Sequence, residues 1–326
     1  MARSDLLIQL VRAGTRGDDD TFRRIVADMA DEERRKQHHT LAERLLRSVE
    51  VRPVRGPTRV VDPEVQALFA ERVPNRELSE LVLPAAVEDD IAEVVEEQAR
   101  VALLRAHGLE PRHRILLVGP PGTGKTSLAE ALANELAMTF ITPSYEALIG
   151  SLLGETAERV GRLFQTVAQR PCVLFLDELD VLAKERSDVQ ETGEIKRVVS
   201  SLLLQIDALP SHVVIVGATN HPDLLDRAAW RRFQVRLELP MPTPALLTRF
   251  LERFQRHSDT PWGHSPERLA KELNGLSFAE VESFCQDVQR RIVLERPSRS
   301  ARSIVAKRLR RWKALSRPSV RSSTDG

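Results

Sequence analysis

The chain has 326 residues, of which 48 are Lys or Arg and 47 are Asp or Glu, so its formal net charge is +1 and 42% of its residues are hydrophobic. This length exceeds what a single compact core usually supports, so two or three domains are expected. The balanced charge excludes a protein that binds polyanions over its whole surface.

Two features of the sequence predict a cellular compartment. The only cysteines, Cys172 and Cys285, each lie in an apolar stretch, which favours buried thiols in a reducing compartment over a disulfide or a metal site. The N-terminus lacks a signal-peptide pattern, and no apolar run approaches the roughly 20 residues that span a bilayer. A cytoplasmic protein without a membrane span is therefore expected.

Residues 1–50 contain three stretches with the apolar spacing of amphipathic helices, around Leu7, Ile25 and Leu45. Such short helices bury their apolar stripes only against each other or against a partner. The interpretation is a helical N-terminal module. Residues 51–77 begin with a proline-containing stretch that has no helical period, and they are interpreted as a linker.

Residues 78–240 alternate short apolar runs with helical stretches, which predicts an α/β domain: a parallel sheet with helices on both faces. The predicted strands are residues 115–118, 139–142, 172–176, 213–216 and 235–239. Ligands in such sheets bind at the carboxyl ends of the strands. The polar residues that follow these strands are therefore the candidates for a functional site.

A phosphate-binding loop follows the first predicted strand. Its pattern, G-x-x-x-x-G-K-[ST], places glycines where the backbone approaches phosphate oxygens and then begins a helix whose free N–H groups favour an anion. Lys125 is predicted to neutralise the β- and γ-phosphates, and Thr126 to bind Mg²⁺. The predicted nucleotide-binding residues are Gly119, Pro120, Pro121, Gly122, Thr123, Gly124, Lys125, Thr126 and Ser127.

Catalytic candidates follow two further strands. Asp177 is predicted to bind Mg²⁺ through Thr126 and ordered waters, and Glu178 to orient and polarise the attacking water. The alternative for a lone Asp-Glu pair is an acidic helix N-terminus stabilised by its dipole. Asn220 can hydrogen-bond the water and the γ-phosphate, or it can be a turn residue. The combination with a phosphate loop favours the catalytic interpretation.

From about residue 78 to residue 295 the chain resembles the classical AAA ATPases of the AAA+ superfamily. Residues 119–126 match the Walker A motif, residues 174–178 the Walker B motif, residues 217–220 sensor 1 and residues 225–233 the arginine-finger segment. The Arg-Arg-Phe form of that segment is most similar to the meiotic clade, which includes katanin and spastin. Bacterial stand-alone AAA proteins are an equally good match.

The resemblance implies a P-loop NTPase fold followed by a small all-α lid domain at residues 241–296. It also implies ATP hydrolysis with Mg²⁺ in a ring of copies, for which a hexamer is expected. Arg231 and Arg232 would then be the fingers that reach the nucleotide of the neighbouring subunit. The alternative is that both arginines pair with surface carboxylates.

Two positions depart from the family pattern. The pore loop of family unfoldases has an aromatic residue where this chain has Leu152, followed here by Leu153, and a leucine pair offers less contact area to a threaded chain. The alternative is that both leucines pack inside the domain. In the lid, Phe278 replaces the glycine of the family's Ser-Gly-Ala-Asp segment, while Ala279, as in classical members, offers no sensor 2 arginine.

Residues 297–326 form a basic tail, which either binds nucleic acid, an anionic lipid or an acidic partner, or is a solvated, partly disordered end. The expected function is an ATPase that remodels, unfolds or disassembles a protein substrate or complex, with the N-terminal helices recruiting the substrate or an adaptor. Alternatives are a nucleic-acid-associated ATPase of a defence, replication or mobile-element system, and a nucleotide-gated scaffold.

Overall fold

The computed structural model describes residues 19–35, 63–148, 153–180, 202–225, 227–256, 258, 260–295 and 300–315. The chain forms two compact units, Met1–Ala67 and Leu68–Gly326. The described part of the first unit contains helix α1 (Asp19–Arg35) and the single turn α2 (Pro63–Gln66). Helix α1 confirms the second predicted N-terminal helix, and its apolar residues Ile25 and Val26 are buried. The other two predicted helices lie outside the described residues.

The second unit is built on a sheet of six strands. They are β1 (Phe69–Arg72), β2 (Arg114–Val118), β3 (Thr139–Pro143), β4 (Cys172–Leu176), β5 (Val213–Thr219) and β6 (Val235–Glu238). Their spatial order is β1-β3-β4-β5-β2-β6, and all neighbouring pairs from β3 to β6 are parallel. The predicted α/β fold class and its parallel sheet are confirmed.

Strand β1 was not predicted. It pairs antiparallel with β3, with Phe69 opposite Pro143 and Arg72 opposite Phe140. Of its four residues only Phe69 is buried, so the strand lacks the apolar alternation by which a sequence reveals a strand. The end of the predicted linker at residues 51–77 is therefore an edge strand of the sheet.

Helices cover both faces of the sheet. They are α3 (Ala85–Ala99), α4 (Val101–Ala106), α5 (Lys125–Glu135), α6 (Tyr145–Leu148), α7 (Leu153–Val167), a helical stretch at residues 202–208 and α8 (Arg227–Arg232). Leu117 and Phe175 share one apolar core with Ile91 of α3 and Leu132 of α5. Leu174 points to the opposite face, because side chains alternate along a strand, and it is buried as well.

The lid domain is a separate helical bundle with its own core. It contains α9 (Pro244–Arg256), α10 (Pro266–Glu272), α11 (Phe278–Glu295) and α12 (Ala301–Leu315). Helices α9 to α11 agree with the all-α lid that the resemblance implies, and Leu251, Trp262 and Phe284 are among the buried core residues of this bundle. None of the helices in the described parts of the chain is long and apolar enough to cross a membrane.

Helix α12 corrects the interpretation of the C-terminal tail. Its residues Ile304 and Val305 are buried in the lid core, and Arg308 is buried beside Asp287, with 3.4 Å between the charged atoms. Residues 301–315 are therefore a further helix of the lid and not a solvated end. Among the side chains of α12 whose burial is described, the exposed basic ones are Arg302, Lys307, Arg310 and Arg311.

Candidate nucleotide-binding site

The predicted phosphate loop connects β2 to α5 at the carboxyl end of the sheet. Helix α5 begins at Lys125, after Gly124, whose φ of +97° is the left-handed conformation that glycine adopts readily. At the other end of the loop, a Cβ on Gly119 would lie 2.1 Å from the backbone oxygen of Leu239. The two glycines are thus required for different reasons, one for a backbone angle and one for close packing against the end of β6.

This difference predicts the effect of two substitutions on stability. We expect Gly119→Ala to lower the midpoint of thermal unfolding without nucleotide more than Gly124→Ala does, because Gly119 faces backbone that cannot turn aside. The Cβ of Gly124→Ala meets open space, so its cost is the left-handed backbone alone, about 1–2 kcal/mol. Gly161→Ala, in α7 with open space around its Cβ, is the matched control. Equal midpoints for the Gly119 and Gly161 variants would contradict the packing argument.

Lys125 lies inside its own loop. Its ammonium group donates hydrogen bonds to the carbonyls of Gly119 (2.6 Å) and Pro120 (2.9 Å) and to the side-chain oxygen of Asn220 (2.7 Å). Burial lowers the pKa of Lys125, and the carboxylates of Asp177 and Asp180 partly oppose that shift. A desolvated cation of this kind gains strongly from an incoming phosphate group.

The strand register explains why Asn220 reaches Lys125. Val118 pairs with Thr219 at the ends of β2 and β5, so the residues that follow, Gly119 and Asn220, are neighbours. The N–H of Gly119 donates to the carbonyl of Thr219 at 3.3 Å. Gly119 and Asn220 are 101 positions apart in the sequence and meet only at this edge of the sheet.

Asp177 and Glu178 follow β4 at the same edge. The hydroxyl of Thr126 donates to one carboxylate oxygen of Asp177 (3.4 Å), and the N–H of Glu178 donates to the other (2.9 Å). A hydroxyl and a carboxylate at this separation are ligands that Mg²⁺ accepts in its oxygen shell, so the residues present fit the predicted metal. The side chain of Glu178 is exposed to the cavity described below.

Asp180 connects two of these strand ends and was not among the predicted site residues. It is buried and accepts hydrogen bonds from the hydroxyl of Thr219 (2.9 Å) and from the N–H of Asn220 (3.3 Å). The carboxylate thereby holds the end of β5 against the residues that follow β4. The available sequence signal was a third acid close behind Asp177 and Glu178.

Tyr145 is a second residue that the sequence patterns did not single out. Its hydroxyl donates a hydrogen bond of 2.6 Å to the backbone carbonyl of Asp177. Burial raises the pKa of this phenol, and the carboxylates of Asp177, Glu178 and Asp180 add to the shift, so the hydroxyl stays protonated as a donor. No local motif marks Tyr145, because it lies 32 residues from its partner.

These residues surround a cavity of about 340 Å³. Its polar part contains the loop residues together with Asp177, Glu178 and Asn220. The remaining wall comes from residues outside the predicted nucleotide-binding set, namely Arg76, Glu80, Leu81, Val82, Leu83, Phe250, Phe278, Ala279 and Glu282. The cavity thus has the phosphate-binding groups of the predicted site and an apolar wall suited to a nucleobase.

The lid contributes part of this wall directly. The N–H of Ala279, at the start of α11, donates to the carbonyl of Gly122 in the phosphate loop at 3.1 Å. Phe278, the residue that replaces the family's glycine, faces Phe250 with 5.5 Å between ring centroids. Phe278, the departure from the family pattern in the lid, therefore lines the cavity, and Ala279 contacts the phosphate loop.

The two predicted finger residues are absent from the part of the cavity wall that the structure describes. Arg232 donates to the carbonyl of Leu203 (3.1 Å) and pairs with Asp207 (2.9 Å), while Arg231 is exposed. Asp207 also pairs with Arg114 at the start of β2 (2.9 Å). Within a single chain, Arg232 thus pairs with a carboxylate, as the alternative to the finger role predicted. Neither arginine lies in the described wall of its own chain's cavity.

Most of the predicted pore loop belongs to the part of the chain that the structure does not describe. Leu152 lies outside the described residues, and Leu153 is the first residue of α7, with only its backbone described. The assignment of both leucines to a pore loop remains a prediction.

Comparison with known proteins gives consistent matches. Residues 115–241 match the family model "ATPase family associated with various cellular activities (AAA)". A protein named "Uncharacterized AAA family ATPase y4kL", from Sinorhizobium fredii, is 37% identical over 304 residues, which cover 91% of this chain and 91% of that protein.

Two archaeal relatives are longer. The cell division cycle protein 48 homolog of Archaeoglobus fulgidus is 33% identical over 70% of this chain, and the proteasome-activating nucleotidase of Methanocaldococcus jannaschii is 36% identical over 61% of it. The matched region spans only 32% of the first and 48% of the second. The similarity to these two relatives therefore concerns one part of each.

Proposed function

The chain belongs to the AAA family of ATPases and is an ATP hydrolase, and we propose that it works as a ring of copies, a hexamer, to remodel, unfold or disassemble a protein substrate or complex. The observation that carries ATP hydrolysis, on which this proposal depends, is the meeting of Lys125, Asp177, Glu178 and Asn220 at one cavity. These four side chains come from the ends of two neighbouring strands, β4 and β5, and from the start of the helix that follows β2.

Each of these groups has a part in hydrolysis of the γ-phosphate. Lys125 exchanges its loop carbonyls for phosphate oxygens, and Asn220 hydrogen-bonds the γ-phosphate and the attacking water. Glu178 orients that water and accepts its proton. Thr126 and Asp177 would hold Mg²⁺, which would supply charge neutralisation at the β- and γ-phosphates.

The ring is supported by the position of the two predicted finger arginines within the described part of the chain. An arginine that stabilises charge on the transferring phosphoryl group is worth roughly 10³ to 10⁵ in turnover, and it can come from another subunit. Arg231 and Arg232 lie on α8, away from the cavity of their own chain. A neighbouring copy that presents α8 to the cavity would complete the site.

Work on a protein substrate is supported by the relatives. One of them is by name a nucleotidase that activates the proteasome. By analogy, Leu152 and Leu153 would contact the substrate in the central pore, and residues 1–50 would recruit it or an adaptor. The site itself supports hydrolysis alone, so the substrate class depends on this analogy.

A second candidate function follows from α12. Its exposed residues Arg302, Lys307, Arg310 and Arg311 form a basic surface on a helix that is anchored in the lid core. Such a surface suits a phosphate backbone, which would make the chain a nucleic-acid-associated ATPase. An acidic protein partner would be recognised by the same charges.

The experiment that tests the proposal captures the substrate and then measures work on it. The Glu178→Gln variant, which should hold ATP without hydrolysing it, is used to retain partners from native lysate with and without ATP. A protein retained only with ATP is then purified and its unfolding or release is followed with the wild-type chain. We expect Leu152→Ala to reduce the rate of unfolding or release of that protein about tenfold or more. Its ATPase rate should stay unchanged, because substrate contact and ATP hydrolysis use different residues.

The control for this variant is Leu103→Ala, which removes an exposed leucine of α4. Unchanged remodelling by Leu152→Ala would exclude the pore assignment. Retention of nucleic acid instead of protein would favour the second function. In that case Lys307→Glu, Arg310→Glu and Arg311→Glu together should abolish its salt-sensitive binding, and they leave the buried face of α12 intact.

A further inference from the structure

The peptide unit between Asp177 and Glu178 has an unusual conformation. Glu178 has φ of +51°, in the left-handed region, where Glu has none of glycine's freedom. A non-glycine residue keeps such an angle only when its surroundings hold it there, and residues of this kind are concentrated at functional sites. The peptide that precedes Glu178 sets the direction in which its side chain leaves the backbone.

This peptide unit is held from both sides. Its N–H, which belongs to Glu178, donates to the carboxylate of Asp177 at 2.9 Å. Its carbonyl, which belongs to Asp177, accepts the hydroxyl of Tyr145 at 2.6 Å. The first partner is the side chain of the same Asp177, and the second, Tyr145, is the partner from another element that the described residues provide for this peptide.

Tyr145 is itself anchored independently of Asp177. It is the first residue of α6, directly after Ser144, whose N–H donates to the carbonyl of Leu68 at 2.8 Å. The other end of α6 is held by Arg159 of α7, which donates to the carbonyl of Ala147 at 2.9 Å. The phenol therefore extends from a fixed helix to the turn after β4, and Tyr145 does not belong to the described wall of the cavity.

We propose that Tyr145 is a positioning residue for ATP hydrolysis: its hydroxyl holds the peptide between Asp177 and Glu178 and thereby aims the Glu178 carboxylate at the attacking water. The inference rests on the proposed role of Glu178 as the residue that orients this water. Without the phenol, the peptide keeps, among the described residues, its hydrogen bond to the Asp177 carboxylate, and rotation of the peptide plane moves Glu178 while Lys125 and the phosphate loop remain in place.

The test is Tyr145→Phe, which removes one oxygen and keeps the ring. We expect the rate of hydrolysis of pre-bound ATP in a single turnover, and kcat, to fall about 10- to 100-fold, since a misplacement of about 1 Å can cost 10²-fold. The Kd for ATP and KM should stay within about twofold, because the interaction is used in the reaction and not in binding. Thermal unfolding and the oligomeric state are measured on the same sample.

Two variants make the outcomes distinct. Ser144→Ala removes a neighbouring hydroxyl, which accepts the N–H of Ala147 at 3.4 Å in the same helix start, and it should leave kcat unchanged. Glu178→Gln is assayed in parallel. If it hydrolyses ATP normally, the proposed role of Glu178 has failed. If it is inactive while Tyr145→Phe keeps the wild-type rate, or loses ATP binding in proportion to its activity, the positioning role of Tyr145 is overturned.

Discussion

Glu178→Gln is expected to reduce ATP turnover by about 10² to 10⁴, the range over which a positioned general base contributes, and to leave ATP binding intact. The amide keeps the size of the side chain but cannot accept the proton of the attacking water. Lys125, which is desolvated and bonded to loop carbonyls, remains available to the phosphates. Steady-state hydrolysis and equilibrium binding of a fluorescent ATP analogue measure the two effects separately.

Glu282→Gln is the matched control for this variant. Glu282 lines the same cavity from α11 of the lid, so its carboxylate tests whether any loss of negative charge in the cavity reduces the rate. We expect near-normal turnover from it. If Glu178→Gln retained a tenth or more of wild-type turnover, another group would have to orient the water, and the functional assignment of the end of β4 would need revision.

Arg232→Ala and Arg231→Ala are each expected to lower turnover by about 10³, because a finger arginine stabilises charge that develops only in the transition state. Mixing Arg232→Ala subunits with subunits of a second variant should restore part of the lost ATP turnover. In a ring that combines Arg232→Ala subunits with Glu178→Gln subunits, an Arg232→Ala site receives the intact arginine of its Glu178→Gln neighbour. Activity of the mixture above that of either variant alone is the expected result.

If Arg232 instead acted on the site of its own chain, the mixture would recover no ATPase activity, because neither subunit would then have a complete site.

The pairing of Arg232 with Asp207 requires its own control, since the alanine variant also breaks this ion pair. Such a partly exposed pair contributes about 0–1 kcal/mol to stability. Asp207→Asn removes the pair and keeps the guanidinium, and Arg236→Ala removes an exposed arginine from β6; both should assemble and retain most of their turnover.

The parts of this protein that were predictable are those whose signal is local in the sequence. The loop from Gly119 to Thr126 is recognisable because phosphate binding needs specific residues at consecutive positions. Strands β2 to β6 and helices α9 to α11 were predictable because each carries its own apolar pattern. Asp177, Glu178 and Asn220 were found because the carboxyl ends of parallel strands share one edge of the sheet.

The sequence alone therefore determined the family and the fold class, and it predicted the residues at the phosphate end of the candidate site. Only the tertiary structure decided that β1 joins the sheet, that α12 closes the lid core, and that Leu81 to Leu83 and Phe278 line the cavity. The hydrogen bonds of Tyr145 and Asp180 were likewise decided only by the tertiary structure. Each depends on residues that are distant along the chain and meet only after folding, and their positions have no periodicity or motif by which a local pattern could reveal them.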